Sequence, residues 1–477
     1  MIFLWIFLPT VLIVNALLSV IPFRSNDIRI RAKNVFLLLS SMVFYAWGGI
    51  RYLLIMLAVI LINFLAGLFM DGAGSFKKPV FVLAVCANIG ILFYFKYYNL
   101  LTDTIEYLRG VEQGSMGFVR VVLPVGISFY IFQALSYTID LYNGKTEKQT
   151  DIINFALYVS LFPQLIAGPI VIYNDIRDQI VHRVESGDKF VSGIGRFCTG
   201  LAKKVIIANA LAEAADKIWD VAGSDITAMG AGVAWFGMIA YTFQIYYDFS
   251  GYSDMAIGLG RMLGFDFKEN FDHPYISLSM REFWRRWHIS LSSWFRDYVY
   301  IPLGGSRTDK KVKVYRNLMI VFLLTGIWHG ANYTFFVWGI FHGLLVVIER
   351  MGFGRVLDRK GFKPFGAIYT GFMVMIGWVF FRSDTILQAF AYIGRLFKFG
   401  RFSYTVLNFC SMKIIIALIA AILCMGILDG PFKRLMAKFG GNAVFDAAGF
   451  AVQMLLLVYS VMLIISGTYN PFIYFRF

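Results

Sequence analysis

Charged residues are scarce in this sequence of 477 residues. Only 15% are Asp, Glu, Lys or Arg, whereas soluble domains contain about 25%. Hydrophobic residues make up 58% of the chain, and the mean hydropathy is +0.67. A soluble protein of this composition would carry more apolar side chain than its core could cover. The composition therefore excludes an ordinary soluble domain and predicts an all-α polytopic membrane protein.

Cysteine is equally rare, and its placement excludes two kinds of site. The four cysteines lie far apart, and no C-x-x-C spacing occurs among Cys86, Cys198, Cys410 and Cys424. This pattern indicates neither a disulfide framework nor a metal cluster. We expect the cysteines to be small buried hydrophobic residues, and we predict no metal site.

Long hydrophilic stretches are also absent, since the longest weakly apolar regions are 172–204 and 262–313. We therefore expect one membrane domain over residues 1–477, without a separate soluble domain. Apolar segments of about 20 residues, enough to cross the hydrocarbon core as a helix, recur along the chain. They predict about eleven transmembrane helices, from segments near 2–22, 34–47, 51–70, 79–97, 118–140, 152–171, 230–247, 314–328, 331–348, 365–381, 411–428 and 445–467.

The basic residues give the predicted orientation. Arg24, Arg29, Arg31 and Lys33 directly follow the first apolar segment, so this loop is expected to be cytoplasmic. Residues 1–23 lack both charge and a small-x-small cleavage site, which favours a retained helix over a signal peptide. The net charge of +15 arises from clusters in short loops. Such clusters indicate contact with anionic membrane lipid and not with nucleic acid.

The segment 277–301, SLSMREFWRRWHISLSSWFRDYVYI, mixes aromatic residues with arginines. On a continuous helix, one face would hold Trp284, Trp287, Leu291, Trp294, Phe295 and Tyr298. An aromatic face backed by arginines predicts an interfacial helix, which Pro302 ends. His288 would lie at the border of the two faces, where a plain surface helix explains it without a catalytic role.

Two histidines occur in a run without charged residues, 318–348. The stretch TGIWHGANYTFFVWGIFHG (325–343) repeats Gly-Ile-aromatic-His-Gly, which places His329 and His342 thirteen residues apart. They would not face each other on one helix. Each phrase has two glycines four residues apart, a spacing that predicts close helix packing. For His342, packing and a hydrogen bond to a backbone carbonyl are a sufficient explanation.

His329 is the stronger candidate for a functional residue. The surrounding residues Thr325, Gly326, Gly330, Ala331 and Asn332 weaken a helix. A helix break in a membrane is tolerated beside protein or a water-filled cavity, and an ionisable group there indicates a functional site. An imidazole can take a proton from a hydroxyl near neutral pH. We therefore expect His329 to reach a water-lined passage.

Two further segments carry signals at membrane depth. Asp254 and Arg261 lie seven residues apart and share a helix face, which fits an ion pair or a catalytic acid. LFPQLIAGPIV (161–171) contains two prolines and a glycine in an apolar run. This composition predicts a bent or re-entrant segment.

Taken together, these motifs resemble the membrane-bound O-acyltransferases, and among them the bacterial alginate O-acetyltransferase subfamily. The resemblance covers residues 124–343, through PVGISFYIFQALSYTIDLY, LFPQLIAGPI, YYDFSGYSDMAIGLGRMLGFDFKENFDHPY, EFWRRWHISLSSWFRDYVYIPLGGSR and TGIWHGANYTFFVWGIFHG. It implies a helical bundle with a central funnel or tunnel, together with re-entrant and interfacial helices. The run Ile301–Gly305 favours the acetyl branch over the D-alanine branch of the family.

The resemblance also implies catalytic roles for two histidines. The essential histidine of the W-H-G phrase is His329 here, and the histidine of the R-W-H-x-S-L-S phrase is His288. Further contacts to donor or substrate are predicted for Arg285, Arg296, Trp328, Asn332 and Asp254. The arginines are candidates for the phosphates of a CoA donor, although anionic lipid would attract them equally.

The implied function is transfer of an acetyl group from a cytoplasmic thioester, acetyl-CoA, across the inner (cytoplasmic) membrane to a cell-surface or exported polysaccharide. No permanently bound cofactor is expected. The resemblance also implies an extracytoplasmic partner, similar to an SGNH esterase, that receives the acetyl group. The chain itself has no G-x-S-x-G motif, so this partner is expected to be a separate protein. Three alternatives stay open: D-alanyl transfer to teichoic acid, transport of a polysaccharide or lipid-linked sugar, and a structural role.

Overall fold

Helices form the framework of the computed structural model, which describes residues 2–72, 74–166, 168–308 and 310–467. Within these residues there is one isolated β-bridge, between Met229 and Tyr404, and no strand. The α-helices are α1 (Leu8–Val20), α2 (Asn26–Ala46), α3 (Ile50–Met70), α4 (Lys77–Leu108), α5 (Ile127–Tyr142), α6 (Ile152–Ser160), α7 (Phe162–Leu165), α8 (Tyr173–His182), α9 (Gly187–Ala202), α10 (Asn209–Ser224), α11 (Ala231–Met262), α12 (Met280–Arg286), α13 (Ile289–Phe295), α14 (Lys311–His329), α15 (Tyr333–Ile348), α16 (Gly354–Leu357), α17 (Lys363–Arg382), α18 (Ile386–Arg395), α19 (Met412–Ile422), α20 (Asp429–Phe439) and α21 (Ala443–Ser466).

Shorter helical turns extend or connect these helices. The π-helical turns are Phe3–Phe7, Lys203–Ala208, Arg296–Tyr300, Glu349–Phe353 and Leu423–Ile427. The 3₁₀ turns are Gly74–Phe76, Ile226–Ala228, Pro274–Ile276, Lys360–Phe362 and Val406–Asn408.

Six continuous helical segments in the described part of the chain are long and apolar enough to cross a membrane. They are Phe3–Val20, Ile50–Met70, Gly74–Leu108, Tyr333–Leu357, Lys360–Arg382 and Ala443–Ser466. A bent pair, Met412–Ile427 with Asp429–Phe439, raises the number to seven if it forms one span. These helices confirm an all-α polytopic membrane protein, whereas eleven crossings stay a prediction.

Several helix starts follow from residues that cap free backbone N–H groups. The Ser25 side chain accepts a hydrogen bond from the backbone of Ile28 at the start of α2. Asp151 does the same for Ile153 at the start of α6, at 2.8 Å. These side chains replace the hydrogen bonds that the first turn of a helix lacks.

Some predicted segments have different bounds in the structure. The segment predicted at 118–140 becomes helical only at Ile127, after Pro124 and after Gly126 with a φ of 77°. A left-handed glycine cannot continue a right-handed helix, which explains the late start. The segment predicted at 79–97 is longer than expected, because α4 continues to Leu108.

The described chain divides into two compact units. The first comprises Met1–Phe197 and Ala256–Lys268, and the second comprises Cys198–Met255 and Glu269–Phe477. The single functional domain expected from the sequence stays a prediction.

In the first unit, buried polar side chains satisfy one another. Asn63 and Asn88 exchange hydrogen bonds of 3.0 and 3.1 Å, and Thr138 donates to Asn63. The predicted bend over 161–171 is present: α6 ends at Ser160, and the short helix α7 occupies Phe162–Leu165.

In the second unit, aromatic side chains fill the interior. Trp287, Trp338 and Trp378 are among its largest fully buried side chains. The rings of Trp219 and Tyr392 stack with centroids 4.4 Å apart. This aromatic interior surrounds both histidines that the sequence predicts to be catalytic, as described below.

The prediction of one continuous helix over 277–301 is wrong. The segment forms α12, a break at Trp287–His288, α13 and the π-helical turn Arg296–Tyr300. The five aromatic and aliphatic side chains from Trp284 to Phe295 on the predicted face are buried in the protein. Aromatic spacing indicates an apolar environment but does not distinguish lipid from a protein interior. A position at the membrane interface stays a prediction.

The predicted glycine contact is present between α14 and α15. A Cβ atom added to Gly339 would lie 2.6 Å from the Phe322 carbonyl oxygen and 3.3 Å from the Gly326 Cα. A Cβ added to Gly326 would collide with the Phe335 carbonyl oxygen. Glycine at both positions therefore allows the two backbones to approach, which fixes the helix that carries His329.

Candidate active site

His329 is the last residue of α14, at the helix break that the sequence predicts. The chain is extended at Gly330, and Asn332 caps α15 by accepting a hydrogen bond of 3.1 Å from the Thr334 backbone. The Phe335 ring occupies the space that a Cβ atom of Gly330 would need. Glycine at 330 and asparagine at 332 thus produce the break that places His329 at a helix end.

Aromatic rings surround the His329 imidazole. Its centroid lies 5.1 Å from that of Trp328, 4.9 Å from that of Trp338 and 5.1 Å from that of Phe381. His329 is 4% exposed. These contacts restrict the ring and exclude most water, which strengthens electrostatic interactions there. The passage from this ring to both sides of the membrane stays a prediction.

His288 occupies the break between α12 and α13. It has a left-handed φ of 44° and is fully buried. Among the described residues, only His273 is another non-glycine residue with positive φ. This conformation costs about 1–2 kcal/mol for an L-residue, and such strain is concentrated at functional sites.

Asn270 fixes the protonation pattern of His288. The Asn270 side-chain oxygen accepts a hydrogen bond from the backbone N–H of Ser290 at 3.2 Å, and a backbone N–H can only donate. The same oxygen lies 3.2 Å from Nδ1 of His288. Nδ1 must therefore carry the proton, which leaves the lone pair on Nε2. His288 lies outside the six apolar helical spans named above. Burial lowers the pKa of His288 to about 3, so the ring is neutral near pH 7.

One hydroxyl group and one carboxyl group fix the start of α12, the helix that precedes His288. Ser279 accepts a hydrogen bond from the Glu282 backbone at 3.1 Å. Glu349 accepts hydrogen bonds from the backbones of Met280 and Arg281 at 2.6 and 3.0 Å. A carboxylate at a helix start also interacts favourably with the helix dipole.

Trp328 contacts both predicted catalytic histidines. Its ring centroid lies 6.0 Å from that of His288 and 5.1 Å from that of His329. The structure therefore brings two histidines that are forty-one positions apart in the sequence into contact with the same indole ring. Two imidazoles in one dry aromatic site can bind and deprotonate a hydroxyl group.

His342 also contacts Trp338, with ring centroids 4.7 Å apart. Its two ring nitrogens are buried and make no hydrogen bond within the described part of the chain. The predicted bond to a backbone carbonyl is therefore absent. The lack of a side chain at Gly377 provides the space for His342 Nε2. The predicted packing role fits these contacts.

An apolar cavity of about 240 Å³ lies next to this site in the second unit. Trp284, Phe295 and Phe322 form part of its wall, and Thr325 belongs to it one helical turn before His329. The charged residues that line this cavity, named here the donor pocket, are Arg281, Arg285 and Arg296. The arrangement can hold an apolar chain beside an anionic group.

The three arginines are not equivalent. Arg296 forms a two-point ion pair with Asp297, at 2.7 and 2.9 Å. Arg281 lies 3.8 Å from Asp358 at an exposed position. Arg285 forms no ion pair with any described residue. Arg285 therefore offers the least compensated positive charge to a ligand.

A family-wide comparison now identifies the fold. The sequence profile of the membrane-bound O-acyltransferase family matches residues 82–387, which include both histidines, Asn270 and the donor pocket. The chain belongs to the membrane-bound O-acyltransferase family. It is therefore an acyltransferase of the membrane.

Individual relatives in this O-acyltransferase family are similar over much of the chain. A probable alginate O-acetylase AlgI of Pseudomonas putida is 41% identical over 473 residues, which cover 94% of this chain and 95% of the relative. A peptidoglycan O-acetyltransferase of Helicobacter pylori is 33% identical over 74% of this chain and 72% of the relative. A teichoic acid D-alanyltransferase of Bacillus subtilis is 29% identical over 46% of this chain and 58% of the relative.

The remaining predicted site residues have other neighbours in this O-acyltransferase. Asn332 is a helix cap whose amide also donates to the Asp384 carbonyl at 2.8 Å. Asp254 is 5% exposed and forms an ion pair of 2.7 Å with Lys203. Their predicted contacts with donor or substrate are untested. No group of three His, Cys, Asp or Glu side chains in the described ranges is placed to hold a metal.

Sequence reasoning missed two residues that position the site. Asn270 lies in KENFDHPY, a motif quoted for the family resemblance, but a buried amide has no periodic signal. Glu349 is the first charged residue after the run 318–348. A carboxylate at that point could have been recognised as a candidate for a buried helix cap.

Proposed function

We propose that this chain moves an acetyl group from a cytoplasmic thioester, acetyl-CoA, across the membrane for O-acetylation of an exported or cell-surface polysaccharide. The names of the Pseudomonas and Helicobacter relatives support acetylation of a polysaccharide. The central structural support is the pair of imidazoles that both contact Trp328. One of them, His288, has its protonation pattern fixed by Asn270.

In the proposed reaction, His329 takes the proton of the acceptor hydroxyl. The hydroxyl oxygen attacks the thioester carbonyl carbon and forms a new C–O bond. The C–S bond then breaks, and the leaving thiolate receives the proton from His329. General base catalysis of this kind contributes about 10²–10⁴-fold to the rate. The aromatic walls limit attack by water on the thioester.

His288 has a complementary role in this proposal. Its Nδ1–H donates to Asn270, so the acceptor lone pair of the neutral ring lies on Nε2. An acceptor at this point would hold another N–H or O–H group of the acceptor molecule, because the single proton of the reacting hydroxyl goes to His329. Orientation of reacting groups can contribute several kcal/mol to catalysis, about 7 or more in well-ordered cases.

The donor pocket is the proposed site for the thioester. Its apolar wall suits an acetyl-bearing pantetheine arm, and Arg285 suits a phosphate of the donor. Thr325 connects this pocket with the helix that ends at His329. The acetyl group would therefore approach His329 along α14.

The acceptor in this proposal lies on the outer side of the membrane. An SGNH esterase-like partner with a serine hydroxyl would receive the acetyl group and pass it to the polysaccharide. Direct transfer to a sugar hydroxyl uses the same chemistry at His329. Labelling distinguishes the two, because only the first route produces an acetylated partner protein.

The first prediction concerns His329. His329→Ala should reduce acetyl transfer by about 10²–10⁴-fold, because the acceptor hydroxyl loses its base. Inverted membrane vesicles that contain the full chain would receive ¹⁴C-acetyl-CoA, and label would be counted separately in protein and polymer. The matched control is His182→Ala, since His182 is exposed at the end of α8.

Several outcomes would contradict the proposed function. Near-normal transfer by His329→Ala would exclude the base assignment. If the unchanged protein cleaves no thioester, the result would favour a transporter. Transfer from an alanyl-loaded carrier protein but not from acetyl-CoA would favour D-alanyl transfer, to which the partial similarity with the Bacillus relative points.

The second prediction concerns the donor pocket. Arg285→Ala should raise the KM for acetyl-CoA by about tenfold, because one uncompensated phosphate contact is lost. Arg296→Ala should have a smaller effect, since Asp297 already neutralises Arg296. The control is Arg401→Ala, at an exposed position outside the pocket. Equal KM values for the Arg285 and Arg401 variants would exclude this pocket as the binding site of the donor.

A further inference from the structure

The first unit contains a polar cavity that the proposed reaction does not use. It has a volume of about 580 Å³ and shares no lining residue with the donor pocket. It is formed by the end of α1, the start of α2, the residues 183–187 and the last turn of α11. We name this cavity the basic pocket.

Positive charge dominates the lining of the basic pocket. It contains four cationic side chains, Arg29, Lys33, Arg183 and Arg261, and one carboxylate, Glu185. An excess of positive charge in a concave site attracts anions more strongly than the same charges on an open surface.

Glu185 already contacts two of these cations. It lies 2.5 Å from Lys33 Nζ and 3.3 Å from Arg183 Nε. Burial acts to raise the pKa of the Glu185 carboxyl, but the hydrogen bond and charge of Lys33 and the charge of Arg183 leave that pKa below its usual value. Glu185 is therefore ionised, yet one carboxylate compensates only one of the two positive charges it contacts.

The other two cations have no carboxylate partner in the described part of the chain. Arg29 donates to the Asn26 side chain, which is neutral, at 2.5 Å. Arg261 is half-buried and forms no ion pair with a described residue. The cavity thus contains three uncompensated positive charges.

Arg183 is held rigidly in the wall of this cavity. Its side chain is fully buried, donates to Asn34 and lies 4.9 Å over the Phe265 ring. Its Nη2 atom is buried and makes no hydrogen bond with a described residue. An incompletely compensated buried guanidinium is unfavourable unless an anion completes its surroundings.

We propose that the basic pocket binds a phosphate group, supplied by the headgroup of an anionic phospholipid. The cavity has a polar part formed by the four cations and an apolar part formed by Leu12, Ile30 and Phe190. The end of α1 lines the cavity, and α1 belongs to an apolar segment that is long enough to cross a membrane. This combination matches a phosphate attached to an acyl chain. The same cations would also accept a free phosphate, and the experiment distinguishes the two sources.

The experiment compares lipids retained by the purified full-length protein in native mass spectrometry. The protein is exchanged into mixed micelles that contain equal amounts of phosphatidylglycerol and phosphatidylcholine. We expect a preference for phosphatidylglycerol of about tenfold, which Arg261→Gln and Arg29→Gln each reduce severalfold. The matched control, Arg109→Gln, removes an exposed arginine of the same unit outside the pocket and should retain the preference.

A variant with the opposite sign guards against loss of folding. Ser186→Lys adds positive charge at an exposed position of the same lining and should strengthen phosphatidylglycerol retention. In a second arm, inorganic phosphate at millimolar concentration is added without lipid. Thermal stabilisation that depends on Arg261 in this arm, without lipid preference, would assign the site to free phosphate.

Two results would overturn the proposal. One is equal phosphatidylglycerol retention by the unchanged protein, the Arg261 and Arg29 variants and Ser186→Lys. The other is the absence of any response to either phosphatidylglycerol or inorganic phosphate. Neither result depends on acetyl transfer, so the proposed function is tested separately.

Discussion

At the residue scale, the site depends on hydrogen-bond direction. Asn270 is identified as an oxygen acceptor towards His288 only because the Ser290 N–H donates to the same atom. The Asn270 backbone carbonyl oxygen also accepts a hydrogen bond from the Ile289 backbone N–H at 2.9 Å. Asn270 is therefore a positioning residue, which acts on the reaction through His288.

The third prediction tests this positioning role. Asn270→Leu should reduce acetyl transfer by about 10–100-fold, because the His288 ring loses the group that fixes its proton on Nδ1. Asn270→Asp should retain more activity, since a carboxylate also accepts the Nδ1–H. The added negative charge should raise the pKa of His288 and move the acidic limb of the pH–rate profile to higher pH.

Initial rates between pH 5 and 8 would measure both effects. A purely structural role for Asn270 would reduce the amount of folded protein without a change in the profile. That outcome, with equal rates per folded molecule, would exclude the positioning role.

At the element scale, the α14–α15 pair holds His329. The backbones approach at Gly326 and Gly339, and Gly330 and Asn332 end one helix and start the next. Because His329 is the last residue of α14, a shift of this helix moves the imidazole relative to Trp338 and Phe381.

The fourth prediction is a packing test of this pair. Gly339→Ala places a methyl group about 2.6 Å from the Phe322 carbonyl oxygen and should destabilise the protein by about 1–3 kcal/mol. The apparent melting temperature in detergent and the transfer rate should both fall. Gly371→Ala, in α17, is the matched control because its Cβ would meet no atom within 4 Å. Equal melting temperatures for the two variants would contradict the close contact.

The helix break at His329 was predictable from the local sequence, but the helix break at His288 was not. Thr325, Gly330 and Asn332 are weak helix formers, so the composition itself indicates an interruption. The segment around His288 consists of residues that a helix tolerates. Its interruption depends on Asn270 and Glu349, which are distant in sequence and bind the backbone on either side.

At the scale of the whole molecule, His288 links stability to pH. Its pKa in the folded protein is about 3, below the usual value near 6.5, because burial disfavours the charged ring. The unfolded chain therefore binds more protons between these two values. The stability contributed by the neutral ring is present above pH 6.5 and declines as the pH falls towards 3.

The fifth prediction follows from this linkage. Between pH 7 and pH 5, the unchanged protein should lose up to about 2 kcal/mol of stability through His288. His288→Gln should show a smaller decrease over the same interval, since the glutamine does not titrate. Thermal unfolding in detergent at both pH values would measure the difference. Parallel pH dependence in the two proteins would indicate that His288 is not the buried titrating group.

The sequence by itself determined the class of molecule, because apolar composition and segment length decide whether a chain enters a membrane. It also identified the family motifs and the helix end at His329, since both depend on local residue order. Only the tertiary structure decided that Trp328 contacts both histidines and that Asn270 fixes the His288 proton. Only the tertiary structure places Arg29, Lys33, Arg183 and Arg261 around one cavity. Such contacts join residues far apart in the chain, and hydrophobic periodicity contains no information about which distant side chains meet.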